Sequence, residues 1–260
     1  MFSCQKDKEI KSFDEIKNID YGSKPRNQLD LFIPRNHGKK LPLVIFVHGG
    51  GWIGGDKSQV NSFLMPFLNK GIAVASIEYS LADGQNTADQ INSDIKNAVS
   101  FLTNQASTYN LSTDAIGMMG YSAGSQLALL YSFKNGNIKA VASISGLANL
   151  THPYYTDTNH TIHTLISQYV GTSYLSSANA WLSNSPFYYV ESYKIPTYLV
   201  SAKSDEIVSL EDAKRFHERL DSLFIKNVYK EYEGDHQLFF DLAASEWDKI
   251  ADWFLIYLNK

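Results

Sequence analysis

The sequence contains a single cysteine, Cys4, in 260 residues, which excludes an internal disulfide framework. No apolar run approaches the roughly eighteen residues of a membrane span. An excess of positive charge is also missing. The 23 lysines and arginines face 27 aspartates and glutamates, for a formal net charge of −4. That balance lacks the basic footprint of a nucleic-acid binder. There is no internal repeat and no low-complexity tract. What is present is ordinary for a globular chain, 44% hydrophobic and 19% charged, and the length suits one large α/β domain with a sizeable core. Aromatics are slightly rich, at 16 Tyr and 14 Phe. That favours a pocket for flat or sugar-like groups, although most of these rings are expected to serve ordinary packing.

The setting of the cysteine carries two readings. In Phe2-Ser3-Cys4-Gln5-Lys6-Asp7 a small residue precedes a cysteine and a polar charged tether follows. This resembles the mature start of an exported bacterial lipoprotein, lipid-anchored at Cys4, whose apolar signal segment this chain lacks. The alternative is an incidental exposed cysteine at a cytoplasmic N-terminus.

Residues 1–15 read as a polar leader and 16–260 as a single domain. Strands are expected at 16–21 and 28–33 around a turn, then at Leu43-Val44-Ile45-Phe46-Val47, whose unbroken apolar run suits burial on both faces. Helical spacing follows at 60–69 and 89–105, with strands at 72–77, ahead of Ser122, at 140–145, at 196–201 and at 227–232. Helices are expected after Ser122, at 210–223 and at 245–258. The alternation predicts a mostly parallel eight-stranded sheet flanked by helices. It breaks at 147–193, a polar and aromatic stretch without a strand, read as a lid insertion over a site.

Two features at strand ends point to chemistry. In Gly120-Tyr121-Ser122-Ala123-Gly124 a serine stands between glycines where a strand turns into a helix. Such a turn strains the backbone and displays the hydroxyl above the sheet. The pattern alone is weak, so its context decides. Leu43–Val47 runs into His48-Gly49-Gly50-Gly51-Trp52, and glycines there let backbone N–H groups turn toward a developing oxyanion, with the Ala123 N–H as partner donor.

A serine needs a base, and the base needs an orienting carboxylate. In a fold of this kind they follow in the order serine, acid, histidine, each just past a strand. Asp205 and His236 meet that condition, with Glu206 as a rival acid. The remaining histidines fall before the serine, in the lid, or on a charged helix. Trp52, Tyr121 and Trp181 are candidate pocket walls, with plain packing as the other reading. Asp157, His160 and His163 recur at three-residue spacing as a metal face would, but the polar setting favours solvated or substrate-lining histidines, and no metal is assigned.

Together these motifs resemble the α/β-hydrolase esterases of the hormone-sensitive-lipase type. The Gly54-Gly55-Asp56-Lys57 continuation and the short lid are more similar to the small carbohydrate-esterase and kynurenine-formamidase relatives. The resemblance covers about residues 20–258. It implies an α/β-hydrolase fold and a cofactor-independent serine hydrolase. By it, Ser122 is the nucleophile, Asp205 and His236 complete a triad, and Gly50, Gly51 and Ala123 supply the oxyanion hole. The implied substrate is a small-molecule or oligosaccharide ester, with an amide hydrolase as the rival and a non-catalytic binding protein as the third reading. Two departures stand out. Glu78-Tyr79-Ser80-Leu81-Ala82-Asp83 replaces the Tyr-Arg-Leu-Ala-Pro usual in the lipase-type relatives, and Ser125 replaces a common third glycine of the elbow.

Overall fold

The computed structural model describes residues 12–35 and 39–259. Cys4, and with it the proposed lipid anchor, lies outside the described residues. The chain runs β1 (Phe13–Asp20), β2 (Gln28–Pro34), β3 (Leu41–Val47), α1 (Leu64–Asn69), β4 (Ala73–Ile77), α2 (Ala88–Asn104), β5 (Leu111–Tyr121), α3 (Ala123–Asn135) and β6 (Ala140–Ile144). Then follow α4 (Pro153–Thr156), α5 (Thr161–Val170), α6 (Ala178–Ser183), β7 (Thr197–Ala202), α7 (Leu210–Ser222), β8 (Asn227–Tyr232), α8 (Leu238–Asp241) and α9 (Ala244–Leu258).

The eight strands form one sheet in the order β1-β2-β4-β3-β5-β6-β7-β8. The first two pairings, β1 with β2 and β2 with β4, are antiparallel, and the remainder are parallel. This is the α/β-hydrolase arrangement expected from the sequence. Alternate residues of β3 feed two separate cores. Leu43, Ile45 and Val47 face the side covered by α2, α3 and α7, while Val44 and Phe46 face Phe63, Phe67 and the α9 residues Trp247 and Phe254. Burial on both faces is why the strand reads as an uninterrupted apolar run.

Three elements differ from the sequence reading. β1 starts at Phe13, inside the expected leader, because Phe13 pairs with Pro34 and sets its ring 6.3 Å from that of Phe32. The helix expected at 60–69 is split into a 3-10 turn at Lys57–Ser62 and α1. A continuous helix would carry Pro66 in its interior, against the carbonyl of Ser62. Restarting at Leu64 places that proline in the first turn, where its missing N–H costs nothing. The segment 147–193 is largely helical and anchored. Tyr155, Ile166, Tyr169 and Trp181 join the core on the α2–α3 side, so the segment is packed into the body of the fold.

Parallel strands deliver their C-terminal ends to one edge of the sheet. The loops that follow β3, β5, β7 and β8 therefore converge, and they carry His48–Trp52, Ser122, Asp205 and His236. In open sheets of this kind that edge is where ligands bind.

Candidate active site

Ser122 is the residue on which β5 turns into α3. Its φ of 53° and ψ of −121° lie in a region that a residue with a side chain rarely occupies. The turn persists because both flanking elements are buried, and the strand and helix hold it from each side. The Ser122 Oγ meets His236 Nε2 at 2.9 Å. On the other side of the imidazole, Nδ1 meets Asp205 Oδ2 at 2.8 Å. The Asp205 side chain is 2% exposed and that of His236 12%. The second Asp205 oxygen accepts the backbone N–H groups of Ile207 and Val208 at 2.9 and 2.8 Å. The carboxylate is thus fixed by its own loop, with Oδ2 aimed at the ring. Glu206, the rival acid, is exposed, and among the described residues its carboxylate forms no ion pair with that ring.

The glycine loop lies opposite. Gly50 and Gly51 have φ of 127° and 59°, backbone that a Cβ would strain. Among the described residues, no acceptor pairs with the N–H of Gly50, Gly51 or Ala123, and all three residues line the same cavity as Ser122. The loop is held from below. The Gly49 N–H donates to Gln59 Oε1 at 2.9 Å, and His48 Nδ1 meets the Gly49 carbonyl at 2.8 Å.

Beneath it lies a charged group that the sequence did not signal. Arg26, from the β1–β2 turn, forms an ion pair with Glu78 and donates to the carbonyls of Tyr79 and Gly55 at 2.9 and 3.1 Å. Arg26 also reaches His48 Nε2 at 3.2 Å, while Glu78 accepts the Lys57 N–H at 2.8 Å. Segment 78–83, which has no arginine of its own, is thus reached by Arg26 from the β1–β2 turn. Ser125, in place of the third elbow glycine, is fully buried and accepts the Ile144 N–H at 3.0 Å, tying the elbow to β6.

The cavity at Ser122 holds about 400 Å³. Trp52 and Tyr121 line it, as does an aliphatic set of Leu147, Ile162, Leu165 and Ile207. Phe240 and Gln237, just past His236, close the rim, and neither was singled out from the sequence. Trp52 is fixed: its Nε1 donates to Gln126 Oε1 at 3.0 Å and its ring stacks on Tyr169 at 4.7 Å. Gln126 in turn donates to the Asn184 carbonyl at 2.7 Å, which links the glycine loop, α3 and the lid.

Trp181 is not a pocket wall. It is fully buried beneath the lid, packed on His163 at 5.1 Å, and donates to the Thr172 carbonyl. In a polar stretch its size made it a wall candidate, whereas the short lid helices needed it as their core. The spacing of Asp157, His160 and His163 does not gather them into one face. His163 is buried with Nδ1 on the Tyr155 carbonyl, and His160 lies over the Tyr154 ring at 4.0 Å. Among the described residues no group of three His, Cys, Asp or Glu is placed to hold a metal ion.

Comparison with known proteins places the chain in a family. The BD-FAE family model matches residues 29–220. Over 113 residues the chain is 37% identical to a probable isoprenylcysteine alpha-carbonyl methylesterase of Oryza sativa subsp. japonica, covering 44% of this chain and 27% of that protein. The match thus spans about a quarter of the length of these curated methylesterases. A kynurenine formamidase of Danio rerio is 23% identical over 234 residues, covering 85% of this chain and 74% of that one. Among solved structures, a truncated form of a carbohydrate esterase from gut microbiota superposes with a TM-score of 0.84 at 18% identity, over 96% of this chain and 98% of that one. Esterase B from Lactobacillus rhamnosis gives 0.79 at 16% identity, over 95% and 87%. At such identities the structures establish the shared fold. The family match covers most of the chain, and with it this protein belongs to the BD-FAE family, among the α/β-hydrolase esterases of the hormone-sensitive-lipase type.

Proposed function

We propose that the protein is a serine hydrolase that cleaves carboxylic esters through an acyl-enzyme. The observation that carries this reading is the unbroken contact from Ser122 Oγ through His236 to Asp205, at the mouth of a cavity lined by unpaired N–H groups. His236 Nε2 takes the hydroxyl proton as Ser122 Oγ bonds to the ester carbonyl carbon. The carbonyl oxygen becomes an anion, which Gly50, Gly51 and Ala123 N–H groups meet. His236 then gives its proton to the departing alcohol oxygen as that C–O bond breaks. Water repeats the sequence, His236 again acting as base, and releases the acid. Asp205 holds the imidazole in the required tautomer and stabilises its cation.

A cavity of about 400 Å³ with aliphatic walls favours short or aryl acyl groups. Acetyl or feruloyl esters of carbohydrates are the preferred substrates, a choice supported by the family match and by the carbohydrate esterase fold neighbour. The decisive experiment is Ser122→Ala assayed on 4-nitrophenyl acetate. We expect kcat/KM to fall at least about 1,000-fold; activity close to that of the parent would refute the mechanism.

A second reading, amide hydrolysis, is favoured by the similarity to a kynurenine formamidase over most of the chain. Faster turnover of N-formylkynurenine than of acetylated sugars would select it. A non-catalytic binding module is the third reading, and fluorophosphonate labelling of Ser122 would exclude it.

A further inference from the structure

Two cavities meet beneath the lid. The one at Ser122 has a neighbour of about 380 Å³, and the pair share Ile162, Leu165 and Ile207 as a common wall. Ile162 and Leu165 come from α5, and Ile207 follows Asp205 by two residues. This aliphatic ridge stands close to the place of reaction. Leu165 lies so near the glycine loop that a Cβ on Gly51 would sit 3.1 Å from its Cδ1.

The far walls are of another kind. Asn159, His160 and Thr161 enter from the start of α5, and Glu206 enters from the loop after β7. Among the described residues, the side chains of Asn159, Thr161 and Glu206 have no hydrogen-bond partner. The walls are fastened to each other all the same, since the Tyr154 hydroxyl donates to the Glu206 carbonyl and the His160 ring lies over Tyr154.

The chemistry of this second chamber selects a class of ligand. Asn159, Thr161 and Glu206 are exposed, so an alkyl chain seated here would displace water from an amide, a hydroxyl and a carboxylate without replacing its hydrogen bonds. A phosphate or carboxylate would face the Glu206 charge. A neutral polyol satisfies both sides: its C–H face lies on the ridge, and its hydroxyls meet the amide, the hydroxyl and the carboxylate.

We propose that this second cavity is the subsite for the alcohol half of the ester and takes a neutral polyhydroxylated group. The acyl half occupies the cavity at Ser122, and the scissile oxygen lies at the ridge. Glu206, passed over as the acid of the triad, serves as a hydroxyl acceptor. The assignment rests on the reading of Ser122 as the acylated nucleophile.

The test compares three acetates that differ in their alcohol: ethyl acetate, 1-acetylglycerol and a mono-acetylated methyl xyloside. In a Thr161→Val, Glu206→Ala double variant, the kcat/KM of at least one polyol ester relative to that of ethyl acetate falls about tenfold from the parent value, mainly through KM. The arm that falls identifies a glyceryl or a sugar alcohol. A ratio unchanged for both polyols overturns the subsite, whatever happens to the absolute rates. If the parent protein cleaves none of the three esters, the esterase reading fails on its own. The subsite is then judged by saturation-transfer NMR with methyl xyloside and with glycerol. Binding that is lost in the double variant upholds it; no binding to the parent, or equal binding to both, overturns it.

Discussion

The Tyr121 hydroxyl donates to the main-chain carbonyl of His236 at 2.8 Å, so the residue before Ser122 holds the loop that carries His236. The tyrosine ring stacks on Phe239 at 4.6 Å, three residues beyond that histidine. Burial, followed by the nearby Asp205 and Asp235 charges, pushes the hydroxyl pKa upward, so it remains a donor at any working pH. Tyr121→Phe keeps the ring and removes the bond. We expect kcat to drop about fivefold to tenfold, with KM and the thermal midpoint close to the parent values. Steady-state kinetics beside a thermal melt separates the two effects.

The elbow is closed to side chains. A Cβ on Gly124 would sit 2.1 Å from the Val47 carbonyl oxygen, where α3 passes the end of β3. Both partners there are backbone and have nowhere to retreat. Gly124→Ala is therefore expected to cost more than about 3 kcal/mol, or to prevent folding altogether. Chemical denaturation, or soluble yield where folding fails, reads the result.

Gln126 is the joint between the glycine loop and the lid. Replacing it by leucine leaves the buried Trp52 N–H and the Asn184 carbonyl unpaired, at a cost of about 1–3 kcal/mol each. Hydrogen exchange should rise first in α6 and in the loop at Trp52. Faster exchange confined to distant strands would count against this linkage.

Asp212 gives the fold a pH dependence. Its carboxylate accepts the N–H of Ala148 at 2.9 Å and of Asn149 at 3.1 Å, at the base of the lid. Burial raises its pKa to about 7, against the opposing pull of these hydrogen bonds. The unfolded carboxyl ionises near pH 4, so between there and pH 7 the native state holds a proton that the unfolded state has lost. This contribution is complete below pH 4 and declines as pH rises toward 7, by about 1.4 kcal/mol per pH unit at most. In Asp212→Asn the decline disappears. Denaturation midpoints of both proteins from pH 4 to 8 check the sign.

Much of this arrangement is legible in the sequence. Strands such as Leu43–Val47 and Ala140–Ile144 are buried on both faces, so their unbroken apolar runs announce them. Asp205 and His236 follow their strands directly, and position alone separates them from most rivals. The choice between Asp205 and Glu206 is a matter of local geometry. Asp205 Oδ1 ties down two N–H groups of its own turn, and that leaves Oδ2 free to face His236. Trp181 and Arg26 were not legible for opposite reasons. Trp181 packs among helices too short to show a period, and Arg26 acts on a loop 29 residues away in sequence through contacts that no local pattern encodes.

The edge position of β8 has a consequence for heat inactivation. Every residue of β6 is buried, whereas β8 has one ladder neighbour and none of its residues is fully covered. Ser122 is carried on β5 at the centre of the sheet, but His236 hangs from a half-buried edge strand. Warming will therefore silence the protein before it melts. Reactivity toward fluorophosphonate should vanish several degrees below the loss of circular dichroism, and cooling from that interval should restore it in full.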